Sequence, residues 1–347
     1  MLRCIARRLF SVFLAIIVVV AVPTVACAAT PGSARTAPLT PVRLAGEDYV
    51  EARTFFARYG LKPVIVEAGK RVRFESPWTK IEIEVERREV LFNGLRVFLG
   101  APALLHRRTL HLSMIDAERL FAPILRPASF AAEVPALRTI VIDAGHGGRD
   151  TGTANARFKL DEKHLTLDVA LRLRPLLERE GYKVVLTRSD DRFVELDERA
   201  AIANRAEADL FVSIHFNAVA NAPAVRGTET YIMTPRHHAS TQPERDKSLV
   251  PTLFPGNRRD IWNAVLGYQM HRTLLGQLGA FDRGLKRARF KVLTLVNCPG
   301  VLIESAYLSN DAEADKISTT DYRDQLAESI AAGIRAYAIQ LEVARKG

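Results

Sequence analysis

Cysteine is nearly absent from this chain: three in 347 residues, two of them, Cys4 and Cys27, near the N-terminus. If that end is removed, Cys298 stands alone, no internal disulfide can form, and stability must come from buried cores. Long apolar runs are equally scarce. The run from Leu9 to Val22 carries no charge but is shorter than the ~20 residues a bilayer span needs. This argues against the alternative of a retained membrane anchor, and the overall composition excludes a multi-span membrane protein. Internal repeats are lacking as well. With 48% hydrophobic and 25% charged residues, 20 Gly and 17 Pro, the composition excludes disordered and collagenous chains. The length suffices for two domains with real cores.

What is present begins with an export signal. Arg3, Arg7 and Arg8 precede the apolar run, and Pro23 and the small residues Ala26-Cys27-Ala28-Ala29 follow it. This order predicts a secretory signal peptide over residues 1–29. Arg7-Arg8-Leu9-Phe10 also resembles the twin-arginine pattern, so the export route stays open. Thr24, where a lipobox usually has Leu, argues against lipidation of Cys27. Lys plus Arg exceed Asp plus Glu by 49 to 39; loss of the signal removes three positive charges and takes the net charge from +10 to +7. A basic exported protein suits an anionic cell-envelope polymer and argues against nucleic acid as partner. The expected location is periplasmic, envelope-associated or extracellular, with no stable membrane span after cleavage.

Residues 30–40, rich in Ala, Pro, Ser and Thr, read as a linker. A small α+β module is expected over 41–125. It starts with a helix from Glu47 to Tyr59, then an alternating strand, Lys80 to Glu86, then a hairpin turning at Asn93-Gly94. It resembles the small N-terminal domain of copper amine oxidases, and no ligand or nucleophile cluster falls in it, which suits a wall-binding or spacer role. A second linker, 126–136, contains Pro127 and Pro135. From 137 to 347 strands alternate with helices, predicting an α/β fold with a doubly wound, mostly parallel sheet and helices on both faces. Its first helix, 162–180, has an apolar stripe at Leu165, Val169, Leu173 and Leu176.

Three polar residues fall where strands end or helices begin in this second region. His146 lies in Asp143-Ala-Gly-His-Gly-Gly148, Glu162 opens the first helix, and His215 follows the apolar strand Leu210–Ile214. Ligands collect outside the carboxyl ends of strands in open α/β sheets. Two imidazoles and a carboxylate there, with a fourth position open, make a catalytic zinc site. Taken singly, a histidine after a strand is more often a hydrogen-bonded structural residue than a ligand. The glycines do not make a dinucleotide loop, because Asp150 stands where its third glycine belongs. Glu304 follows the apolar Val301-Leu-Ile, where a carboxylate needs a partner or a task. It is a candidate proton carrier beside a metal-bound water, or else a salt-bridge partner.

VIDAGHGG, LDEKHLTL, VVLTRSDDRFVELDERAAIANRAEADLFVSIHFNA, GTETY and PGVLIESAYLSN occur in this order. Together they resemble the zinc-dependent N-acetylmuramoyl-L-alanine amidases of the type-3 amidase family over residues 137–344. The resemblance implies His146, Glu162 and His215 as ligands of one Zn2+ and Glu304 as catalytic acid/base. Peptidoglycan is the implied substrate, with a protein activator as a further partner. Cys298 reads as a packed thiol. Asp190, Arg199, Asn204 and Arg205 read as hydrogen-bonded support, and His164, His237, His238 and His271 as non-ligands. Residues 236–256, rich in proline, read as a surface loop, with a lid or an activator-docking loop as the alternative, in which Glu244 is a candidate cap for the metal. Thr294 stands where the family often has an Arg. A zinc peptidase or deacetylase acting on other wall amides, and a non-catalytic wall-binding protein, are the alternatives.

Overall fold

The computed structural model describes residues 39–242 and 247–347. The predicted signal, the tether up to residue 38, and Glu244 lie outside these described residues. Among the described residues no helix is long and apolar enough to cross a membrane. Residues 39–347 cluster as one compact unit.

Eleven strands form the main sheet. Five come from the N-terminal region: β1 (Lys62–Glu67), β2 (Arg71–Glu75), β3 (Lys80–Glu84), β4 (Glu89–Phe92) and β5 (Leu95–Phe98). Six follow: β6 (Thr139–Ala144), β7 (Lys183–Leu186), β8 (Leu210–Asn217), β9 (Thr228–Met233), β10 (Asp282–Ala288) and β11 (Gly300–Tyr307). Their spatial order is β7-β6-β8-β11-β9-β10-β5-β4-β3-β2-β1. The first four are mutually parallel, as expected; β9 runs antiparallel to β11, and β1 to β5 form an antiparallel meander. The sheet is therefore mixed.

The junction between the two regions is the parallel pairing of β10 with β5, with Leu285 opposite Val97. One hydrophobic core runs beneath it, holding Phe56, Phe74 and Phe92 together with Trp262 and Leu285. Phe92 meets Tyr268 with ring centroids 4.9 Å apart. The stretch 126–136, expected as a linker, contains a 3-10 helix, Pro127–Glu133, and Phe130 and Val134 pack on the same core. Neither proline leaves the stretch free of the fold.

Local expectations hold in part. Ile81 and Ile83 are buried and alternate with half-buried Glu82 and Glu84, where the strand ends, two residues short of the expected Glu86. Asn93 and Gly94 both take positive φ, 51° and 84°, which a type I′ turn requires. The helix expected from Glu47 instead begins at Ala52, because Glu47–Glu51 is a strand paired with Thr109–Ser113 in a separate four-stranded sheet.

Helices cover both faces of the C-terminal part of the sheet. On one face lie α1 (Glu162–Arg179), α2 (Asp260–Leu278) and α3 (Thr320–Lys346), packed on Ile140, Ile142, Val212 and Ile303. The stripe of α1 runs through Leu165, Val169, Leu173 and Leu177, with Leu176 only partly buried. The other face, bearing Val141, Phe211 and Leu302, is covered by the shorter helices Leu196–Arg205 and Lys291–Leu295. Being short, they leave the ends of the central strands open.

Candidate metal centre

Strand register sets the site. Side chains two apart on a strand share a face, so Asp143, Ser213, His215, Leu302 and Glu304 project on the same side as Val141 and Phe211. His215 of β8 lies opposite Glu304 of β11, and Glu304 lies opposite Glu229 of β9. Three polar residues thus form a row across three adjacent strands. Glu304 is inside β11, which continues to Tyr307, rather than at its end. A register shift beyond His215 then brings Tyr307 opposite Asn217, so that it joins the same face.

His146 is placed by a strained turn. It has φ 61°, followed by Gly147 at 129° and Gly148 at 56°. A Cβ on Gly147 would strike the Arg192 carbonyl, and one on Gly148 the Phe193 backbone. Two buried arginines hold the turn. Arg199 pairs with buried Asp143 at 2.8 Å and donates to the carbonyls of Ala144 and His146 at 2.6 and 2.7 Å. Arg188 donates to the carbonyls of Ala144, Gly145 and Lys163. Burial opposes charge on Asp143, yet Arg199, Thr187 and Ser213 outweigh it and hold the carboxyl below its usual range.

Glu162 begins α1 and is 3% exposed. Its Oε1 accepts from the Phe216 N–H at 3.0 Å and lies 2.9 Å from His215 Nδ1. Its Oε2 accepts from the Thr153 N–H at 2.9 Å and lies 3.1 Å from His146 Nε2. Donor atoms of His146, Glu162 and His215 all fall within 4.8 Å of one another, a cluster able to hold a metal ion. Burial disfavours the Glu162 anion, but hydrogen bonds from both imidazoles prevail and push its carboxyl far below normal. The glycines at 145 and 152 leave room: a Cβ on either would overlap the His215 ring or the Glu162 carboxylate. On the far side of His146, Nδ1 sits 2.9 Å from Asp150 Oδ2, which fixes which ring nitrogen faces the cluster. Asp150→Asn is expected to weaken metal binding by about 10- to 100-fold, measured by competition with a chelating dye. An unchanged affinity would remove Asp150 from this role.

Glu304 forms part of the cleft floor, with Oε2 shielded from solvent and without a hydrogen-bond partner among the described residues. Burial pushes its carboxyl well above the normal range; the charges of Glu162 and Glu229 add to this, and Lys286 opposes it. Glu229, its neighbour, is fully paired. It accepts from Lys286 Nζ, Arg283 Nε and Tyr307 Oη on one oxygen, and from Tyr231 Oη and Asn217 Nδ2 on the other. The cleft holds about 510 Å³, between Phe193, Val194 and Leu196 on one side and Phe290 and Val292 on the other. Arg149 stacks over Phe193 at 4.2 Å and pairs with Glu195 at the rim.

The remaining expectations divide. Asn204 bridges the Leu295 carbonyl and the Asn297 N–H. Arg205, by contrast, makes an exposed pair with Glu198, and the Asp190 side chain lies only within 3.8 Å of Arg192. His238 and His271 are buried outside the cluster. Thr294 is buried and donates to the Lys291 carbonyl. Burial pushes the Cys298 thiol up to about 12, which keeps it protonated and inert. The sequence reading passed over Asp143, Arg188 and Glu229. Asp143 carried a usable signal, an acid closing the apolar run Ile140–Ile142, the argument that singled out Glu304.

A family model described as N-acetylmuramoyl-L-alanine amidase matches residues 140–336, which contain the cluster, Glu304 and the row of strands. The chain belongs to this amidase family. The uncharacterized protein YqiI of Bacillus subtilis is 36% identical over 214 residues, covering 61% of this chain and 91% of its own. The amidase AmiC of Neisseria meningitidis is 33% identical over 228 residues, covering 60% of this chain and 54% of its own. The chain thus spans about half the length of that curated amidase. Among solved structures, the amidase AmiC2 of Nostoc punctiforme matches at 32% identity, over 59% of this chain and 99% of that one, with a TM-score of 0.49.

Proposed function

We propose that this amidase-family chain is an exported zinc enzyme. It hydrolyses the amide between the lactyl group of N-acetylmuramic acid and L-alanine in peptidoglycan. The observation that carries the reading is the convergence of His146, Glu162 and His215, with His146 and His215 lining one cleft together with Glu304, whose Oε2 has no hydrogen-bond partner among the described residues. Two imidazole nitrogens and one carboxylate are a three-ligand set suited to zinc, with a position left for water or substrate.

His146, Glu162 and His215 would hold the ion, which when bound supplies a polarised carbonyl and an acidified water. Glu304 then does the proton work. It accepts a proton as water adds to the lactyl carbonyl, and returns it to the alanine nitrogen as the C–N bond breaks. The products are a lactyl carboxylic acid and a peptide with a free N-terminal amine. Phe193, Val194 and Phe290 give the cleft apolar walls beside this exchange.

The test is digestion of purified peptidoglycan with and without a chelator. Intact stem peptides bearing a free L-alanine amine, released only by metal-loaded protein, are the expected products by mass spectrometry. Cuts within the stem, or loss of acetyl groups, would replace the reading with a peptidase or deacetylase. No release at all would leave a wall-binding protein.

A further inference from the structure

Residues 234–242, which follow β9, are anchored in the N-terminal region. The His238 imidazole is 0% exposed, with Nε2 2.9 Å from Ser113 Oγ and Nδ1 3.3 Å from Arg287 Nη1. It enters a gap kept open by Gly100, where any Cβ would overlap the ring. Asp116, also 0% exposed, closes the socket by accepting from the Gly100 N–H at 3.0 Å and Arg287 Nη1 at 2.6 Å. Arg88, in the turn between β3 and β4, donates to the carbonyls of Ala239 and Ser240 at 2.8 and 3.1 Å.

The same segment reaches the catalytic face. Thr241 exchanges hydrogen bonds with the Arg287 backbone of β10. Gln242 Nε2 then donates to Tyr231 Oη at 2.6 Å, and Tyr231 Oη donates to Glu229 Oε2 at 2.7 Å. Glu229 is the residue opposite Glu304 in the strand register. A connected path therefore runs from Arg88 to the carboxylate beside the proposed acid/base, hydrogen-bonded at both ends and carried by the backbone of residues 239–242 between them.

We propose that Arg88 and the Gly100–Asp116 socket act as positioning elements for the catalytic centre, fixing residues 238–242 so that Gln242 and Tyr231 hold Glu229 beside Glu304. The N-terminal region then serves turnover itself, beyond any spacing or tethering. Its catalytic consequence rests on the amidase reading; its structural consequence does not. Arg88 touches neither the cleft nor the metal-binding cluster, so an effect on turnover has to pass through the segment.

The test uses Arg88→Ala, Tyr231→Phe and the double variant in the full chain. Arg88→Ala should lower kcat by about 3- to 10-fold with KM and metal content unchanged, a size typical of remote coupling. In the Tyr231→Phe background the same change should have little further effect, because the path is already cut. Amide exchange should quicken in peptides covering 228–233 and 239–242 of Arg88→Ala. Additive kcat effects, or a lower melting temperature with unaltered kcat, would overturn the proposal. If the wild type proves inactive, the amidase reading fails by itself, and the exchange data decide the coupling. Should Arg88→Ala not fold, Gln242→Ala, which cuts the path at a less buried residue, gives the same readouts.

Discussion

Glu304→Gln is expected to lower kcat by about 10²- to 10⁴-fold, the usual worth of a positioned proton carrier, while leaving the metal content and KM near wild type. The amide matches the carboxylate in shape but cannot take a proton from water and pass it on. Peptide release from purified wall material gives the rate, and atomic emission gives the metal. Loss of the metal together with activity would show that Glu304 is a ligand instead. A second effect has the opposite sign. In metal-free protein, burial first and then the charges of Glu162 and Glu229 disfavour the Glu304 anion, and Oε2 has no hydrogen-bond partner among the described residues. Glutamine is neutral without taking up a proton and escapes that cost, so at neutral pH the metal-free variant should melt above metal-free wild type. Greater stability with less activity is the mark of a site strained for function.

Arg199→Ala is the second large effect, on stability. Arg199 and Asp143 are 2% and 1% exposed as side chains and 2.8 Å apart. Removing one partner of such a pair leaves a buried, uncompensated charge, at a cost of about 3–5 kcal/mol. The loss should appear as a lower urea midpoint with an unchanged slope. Because Arg199 also holds the Ala144 and His146 carbonyls, metal affinity should fall with it. A loss below about 1 kcal/mol, as for an exposed pair, would contradict the buried assignment. Lysine should not rescue it, since a single ammonium cannot fork across the carboxylate and three carbonyls that Arg199 meets.

The legibility of these residues follows from their surroundings in the chain. His215 and Glu304 interrupt apolar strands, and Glu162 opens a striped helix, so each breaks a pattern that burial imposes. Glu229 breaks none. Its neighbours Thr228 and Thr230 are polar yet 0% exposed, so the strand hides its burial from composition. The union of the two regions was equally hidden. It depends on β10, whose sequence Asp282-Arg-Gly-Leu-Lys-Arg-Ala reads as a charged loop, and on a pairing partner almost 190 residues earlier. Strand pairing across such a distance leaves no local periodicity to read. The prolines at 127 and 135 suggested a tether for the same reason: their packing partners lie in distant sequence.

The row His215, Glu304, Glu229 has an evolutionary consequence. Neighbouring strands lie about 4.8 Å apart, whatever side chains they carry, and main-chain hydrogen bonds hold that spacing. The sheet works as a pegboard on which a donor at one peg can be exchanged without moving the next. New chemistry in this lineage would need a change of residue at one of three addresses, not a rebuilt scaffold.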